Sequence, residues 1–257
     1  MLGCASSLTG RCLAALAMSV SFAGGCWGQA GTIQQTTRLR LKSDRAFDFE
    51  ALIKQFYAEL RKTGEKRQAT WWTSMTGPSE VVSVRHFNKL AELDAWPSPM
   101  NATPALASIG VQLRGCVESV ETVYADVLPD LSLPSSHEIP KMVRVIRSTV
   151  RPDKVNEYRA LVKEEILPAV RKSGAKTYIV LQTRMGRPGT EFVSVLGINN
   201  WADLDENPVT KAMGTDAWQR FMARRSQLIF ESQMDVYRYR PELSYLPEGT
   251  AASGGTQ

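Results

Sequence analysis

The chain has 257 residues, of which 43% are hydrophobic and 22% charged, with a formal net charge of +5. That balance suits a soluble globular protein with a core of its own, so no disulfide scaffold is needed. The basic residues are scattered, with no run of five, which argues against a nucleic-acid partner.

Residues 1–30 contain no Asp or Glu and a single basic residue, Arg11. An apolar run from Cys12 to Ala23 follows, then small residues up to Gly28-Gln29-Ala30. Basic, then apolar, then small-x-small is the order of a secretory signal peptide. The sequence therefore predicts cleavage near Ala30 and a periplasmic or secreted protein. The run is short for a membrane span, which takes roughly 20 apolar residues, and nothing later in the chain reads as one. A second reading is a lipid anchor at Cys26, because Ala23-Gly24-Gly25-Cys26 resembles a lipoprotein box with Ala where Leu is usual. Cys4, Cys12 and Cys26 all lie in this leader, so the mature chain keeps only Cys116 and has neither an intrachain disulfide nor a cysteine metal site.

Beyond the leader, one pattern is written twice, about 110 residues apart. Asp44–Leu52 (DRAFDFEAL) matches Asp153–Leu161 (DKVNEYRAL). Arg61-Lys-Thr-Gly64 matches Arg171-Lys-Ser-Gly174, and Glu80–Val84 (EVVSV) matches Glu191–Val195 (EFVSV). Asn88, Ala91, Leu93, Asp94 and Pro97 recur as Asn199, Ala202, Leu204, Asp205 and Pro208, and Pro129–Ser132 recurs as Pro241–Ser244. Matches in one order with a slowly drifting offset indicate duplication. The repeats span 36–132 and 141–244, joined by a polar linker at 133–140 and followed by a small-residue tail, 245–257, expected to be disordered.

Each repeat opens on period-two alternation, Thr37–Leu41 and Met142–Arg147, which predicts a strand. A helix follows, its apolar face carried in repeat 2 by Val155, Tyr158, Leu161, Val162, Ile166 and Val170, with Gly64 and Gly174 at the stops. Pro168 removes a backbone donor and should kink the second copy. Two strands joined by a Gly-Pro turn come next, Thr70–Ser74 to Glu80–Phe87 and Thr177–Gln182 to Glu191–Ile198. A second helix, Ala105–Val117 or Thr210–Ile229, and a last strand, Ser119–Val127 or Gln233–Tyr239, close each unit. This β-α-β-β-α-β order is the ferredoxin-like unit, whose sheet carries helices on one face only. Val81 and Val82 are both apolar, so the other face must also be covered. The expected fold is α+β: two tandem ferredoxin-like repeats packing sheet to sheet into a single-chain α/β barrel, as a monomer or a homodimer.

Val150–Tyr158, Glu164–Ala169, Gly174, the hairpin and Asn199-Asn-Trp-Ala-Asp203 together resemble the dimeric α/β-barrel superfamily, which includes antibiotic-biosynthesis-monooxygenase-like domains and stress-responsive A/B barrels. The resemblance spans roughly residues 36–244. It implies a ligand pocket between the sheet and helices of a repeat. Members include cofactor-independent oxygenases, isomerases, haem-degrading enzymes and haem-dependent chlorite dismutases, so it implies a fold and leaves the activity open.

On that implication, residues of the middle strands are the site candidates. His86 and Arg85 are the candidates for catalysis, as base and as anchor for an anionic group. Trp71, Trp72, Tyr178, Gln182 and Arg184 are the candidates for ligand binding. Trp71 and Trp72 are adjacent in a strand and so face opposite ways, one toward the barrel and one toward the pocket. No metal site, Walker loop or dinucleotide fingerprint is present, and no cofactor is expected. A haem site of the chlorite-dismutase type would need a histidine in the second repeat, which has none. Three functions remain: an exported barrel that binds a small apolar or aromatic molecule, a cofactor-independent monooxygenase-like enzyme, or an interaction protein without a pocket.

Overall fold

The structure is a computed structural model that describes residues 33–94, 102–134 and 138–246. The signal-peptide and Cys26 readings, His137 and Pro97 lie outside these residues, as does most of the tail.

The elements in chain order are β1 (Ile33–Leu41), α1 (Ala46–Lys62), β2 (Thr70–Ser74), β3 (Val81–Phe87), α2 (Ala91–Asp94), α3 (Pro104–Gly115) and β4 (Val117–Val127). The second half repeats the order with β5 (Met142–Val150), α4 (Val155–Leu161), α5 (Leu167–Lys172), β6 (Tyr178–Met185), β7 (Thr190–Ile198), α6 (Ala202–Asp205), α7 (Pro208–Met213), α8 (Thr215–Leu228) and β8 (Ile229–Tyr239). The strands close into one barrel in the order β1-β3-β2-β8-β5-β7-β6-β4. Each half contributes the ferredoxin-like order 4-1-3-2. Two seams join the halves. At one, Trp72 of β2 pairs with Tyr239 of β8; at the other, Val127 of β4 pairs with Leu181 of β6.

Closure answers the problem posed by a sheet with two apolar faces, and it also removes free edges. Three apolar clusters result. One fills the lumen, with Trp72, Val82, Val145, Ile179, Val193 and Tyr237. Another lies under α1 and α3 against the first half's sheet. The third lies under α4, α5 and α8 against the second half's sheet. Cys116 is buried in the α3–β4 corner with its thiol directed to the Gln112 carbonyl.

Two helices depart from sequence expectation. The kink expected at Pro168 is spread over a π-helical turn, Val162–Ile166, which leads into α5 with Pro168 in its first turn. There the missing N–H costs little. The long helix expected at 210–229 is broken at Gly214, which adopts φ +86°. Only glycine takes that conformation without strain. The strand that follows starts at Ile229, four residues earlier than the alternation suggested, so helix and strand meet without a loop.

Tyr245 was placed with the tail by sequence, yet it is built into the fold. It pairs with Ala69, stacks on Tyr57 with ring centroids 5.1 Å apart, and donates its hydroxyl to the Glu65 carbonyl at 2.6 Å.

One mouth of the barrel is closed by charge. Arg38 pairs with Glu121 at 2.8 Å, and Arg187 reaches Glu121 at 2.7 Å and Glu191 at 3.5 Å. Arg147 pairs with Asp235, and the Tyr237 hydroxyl donates to Glu80 at 2.6 Å. The lumen beneath holds a cavity of only about 70 Å³. The barrel interior is a packed core, too small for a ligand of the usual size.

Candidate functional site

Space for a ligand lies outside the barrel wall, between sheet and helices, once in each half. Strand alternation decides which candidates reach it. Trp72 points into the lumen, where its ring lies 5.1 Å from that of Tyr239 and its indole N–H donates to Thr70 Oγ1 at 3.2 Å. Trp71 points the other way and packs edge-on to Phe49 of α1 at 5.6 Å.

Around Trp71 is a pocket of about 450 Å³, with Phe49, Phe56, Tyr57, Ser83 and Arg85 in its lining. The indole N–H of Trp71 donates to the Tyr57 hydroxyl at 2.7 Å. Burial pushes the Tyr57 phenol up, and the nearby Arg85 guanidinium and Trp71 N–H partly offset that push. Tyr57 therefore stays protonated and serves as an acceptor for Trp71. Ser83 Oγ is buried with no hydrogen-bond partner among the described residues, so the pocket wall keeps an unused polar atom.

His86 follows Arg85 in β3 and so faces inward, in line with Val82 and Val84. It is half-buried, and desolvation alone pushes its imidazole down to about 4. It is neutral at ordinary pH and lies on the opposite side of the sheet from the Arg85 pocket. The two catalytic candidates are thus not brought together, because adjacent strand residues point to opposite faces.

In the second half, Tyr178 lines a pocket of about 370 Å³ with Tyr158, Trp218 and Phe221. Burial raises its phenol, which is hydrogen-bonded to Ser194. Gln182 and Arg184 sit on the same outer face but line neither pocket. Gln182 accepts from Arg159 at 3.2 Å, and Arg184 pairs with Asp126 at 2.7 Å across the β4–β6 seam. Sequence reading passed over Tyr57, Arg144 and Arg225, which do line the pockets.

Among the described residues no group of three His, Cys, Asp or Glu side chains could hold a metal ion, and no helix is long and apolar enough to cross a membrane.

No protein-family model matches the sequence, and no curated protein matches it. Solved structures do share the fold. An anthrone oxidase-like protein superposes with a TM-score of 0.60 at 11% identity, over 88% of this chain and 98% of that one. A putative monooxygenase from Lactobacillus acidophilus NCFM gives 0.56 at 8% identity, over 81% and 94%. Chlorite dismutase from Candidatus Nitrospira defluvii gives 0.56 at 9%, over 83% and 93%. The chain has the ferredoxin-like fold of the dimeric α/β barrels. The residues do not fit a histidine-ligated haem: among the described residues neither sheet–helix pocket has a histidine in its lining, and alternation along β3 turns His86 toward the lumen.

Proposed function

We propose that this chain, a dimeric α/β barrel closed by its own two halves, is an exported protein that binds a small apolar or aromatic molecule in the Trp71 pocket. The carrying observation is the pocket itself. Its volume of about 450 Å³ falls in the range of small-molecule sites, roughly 300–1,000 Å³. Aromatic walls from Phe49, Phe56, Tyr57 and Trp71 favour a flat ring through offset and edge contacts. Arg85 and the unused Ser83 hydroxyl are polar groups of the wall beside Trp71 that would fix its orientation. Export rests on the basic–apolar–small order of residues 1–30.

The test is calorimetric titration of the mature protein with flat polycyclic phenols and ketones, anthrone among them. Binding that weakens in Trp71→Ala and Arg85→Gln, but not in a Gln182→Ala control, is the expected result. Equal affinity in all variants would remove the pocket from the reading. Mass spectrometry of protein recovered from its own cells checks the start of the chain: residue 31, or a lipidated Cys26.

A second reading, monooxygenase-like turnover without a cofactor, is favoured by the same pocket because its Tyr57–Trp71–Arg85 cluster adjoins the space for a ring. Structural neighbours described as a putative monooxygenase and as anthrone oxidase-like support that reading at the level of fold. Dioxygen uptake above the spontaneous rate with anthrone, lost in Arg85→Gln, would convert binding into catalysis. Uptake equal to the protein-free control leaves binding alone.

A further inference from the structure

The second pocket differs from the first in charge. Arg144 of β5 and Arg225 of α8 both line it, and no carboxylate does. Neither arginine forms an ion pair among the described residues, in a chain where most buried or half-buried arginines do. Arg225 donates only to hydroxyls, Ser148 at 2.7 Å and Ser232 at 2.6 Å. The Nε of Arg144 is buried with no acceptor. An arginine cannot shed its charge to escape burial, so it needs an acceptor or a counter-charge. Both arginines share this lining with Tyr178, and the charge of each works against the rise of its phenol. Two like charges held together in a partly dry cavity repel unless an anion sits with them.

The rest of the lining is mainly aliphatic, with an aromatic wall of Tyr158, Tyr178, Trp218 and Phe221. Tyr158 packs on Phe192 at 5.0 Å, and Trp218 on Phe221 at 5.3 Å. We infer that this pocket is a binding site for a flat aromatic carboxylate, with its ring among Tyr158, Tyr178 and Trp218 and its carboxylate between Arg144 and Arg225. A guanidinium matches a carboxylate with two parallel hydrogen bonds, and a carboxylate would give the orphan Arg144 Nε its acceptor. The site is separate from the Trp71 pocket and stands or falls independently of it.

The probe is 2-naphthoate, with 2-naphthamide as the neutral shape control, titrated by calorimetry into the mature protein. The acid should bind at least about tenfold more tightly than the amide, the scale of one hydrogen bond to a charged group. Arg144→Gln and Arg225→Gln should each erase that ratio while the amide's weak affinity persists. Arg184→Gln, at an exposed arginine that lines neither pocket, should leave it intact. Equal affinity for acid and amide, no binding of either, or a ratio that survives in Arg144→Gln and Arg225→Gln but is lost in Arg85→Gln would overturn the inference. Should Arg144→Gln fail to fold, the wild-type ratio and the half-exposed Arg225→Gln variant still decide it.

Discussion

Arg85 and Arg144 stand on opposite partners of the same cross-strand pair in the two halves of the barrel. Arg85 of β3 lies across from Gln35 of β1, and Arg144 of β5 lies across from Leu196 of β7. Each brings a guanidinium toward a buried tyrosine, Tyr57 in one half and Tyr178 in the other. The two pockets thus share a plan but present their charge from different strands. They are two different sites on one scaffold.

The Trp71–Tyr57 hydrogen bond should be felt in stability. Tyr57→Phe keeps the ring and its stacking on Tyr245 but removes the acceptor for a buried indole N–H. Leaving such a donor unsatisfied costs about 1–3 kcal/mol. Urea denaturation should show that loss, with a shift in tryptophan emission. An unchanged midpoint would mean that Trp71 finds another acceptor.

The charged mouth predicts a marked asymmetry between single and double replacements. Arg147 and Asp235 are 7% and 3% exposed. Arg147→Met strands a buried carboxylate, at a cost of about 3–5 kcal/mol. Adding Asp235→Leu should recover much of it, because the pair's mutual attraction mainly offsets its own desolvation. Denaturant midpoints of the wild type and the two variants measure this directly. A double variant no better than the single would place the effect in the wider network through Tyr237 and Glu80.

Alternation along a strand was enough to separate Trp71 from Trp72; the sequence reading offered Arg85 and His86 together, although the same rule sends them to opposite faces. It gives the face of the sheet but not the height along the strand. Gln182 and Arg184 lie on the correct face of β6, yet Gln182 is taken up by Arg159 of α4 and Arg184 by Asp126 across the seam, both outside the pockets. Arg144 and Arg147 are three apart and so face opposite ways, but the apolar Val145 and Ile146 between them hide which enters the lumen. Arg225 sits on a helix whose contact with the sheet depends on the break at Gly214, a break that a polar stretch of sequence does not announce.

The β6–β7 turn should tolerate no side chain at Gly186. Its φ is +100°, and a Cβ there would meet the Thr122 carbonyl oxygen and lie 2.9 Å from Val123 Cα. Both neighbours are backbone of β4 and cannot rotate away. Gly186→Ala should cost at least about 1–3 kcal/mol. Gly115→Ala, at a position open within 4 Å, is the control expected to be neutral or better. Thermal melts of the two variants check the contrast.

Acid should destabilise the fold in two steps. His86 titrates near 4 when folded, against 6.5 ordinarily. Between those values the unfolded chain takes up a proton that the folded chain refuses, so its contribution is complete above about 6.5 and is lost as pH falls toward 4. Glu121 behaves as a depressed carboxylate: burial pushes it up, but Arg187 and Arg38 hold it below its ordinary 4.5. Its contribution is present above 4.5 and is lost below that value as the folded group protonates. The urea midpoint should therefore decline from pH 6.5 to 4 and decline further below 4.5. His86→Gln should flatten the first segment and leave the second. If the decline between 6.5 and 4 persists in that variant, another group titrates there and the half-buried imidazole is not held neutral by the inner face of β3.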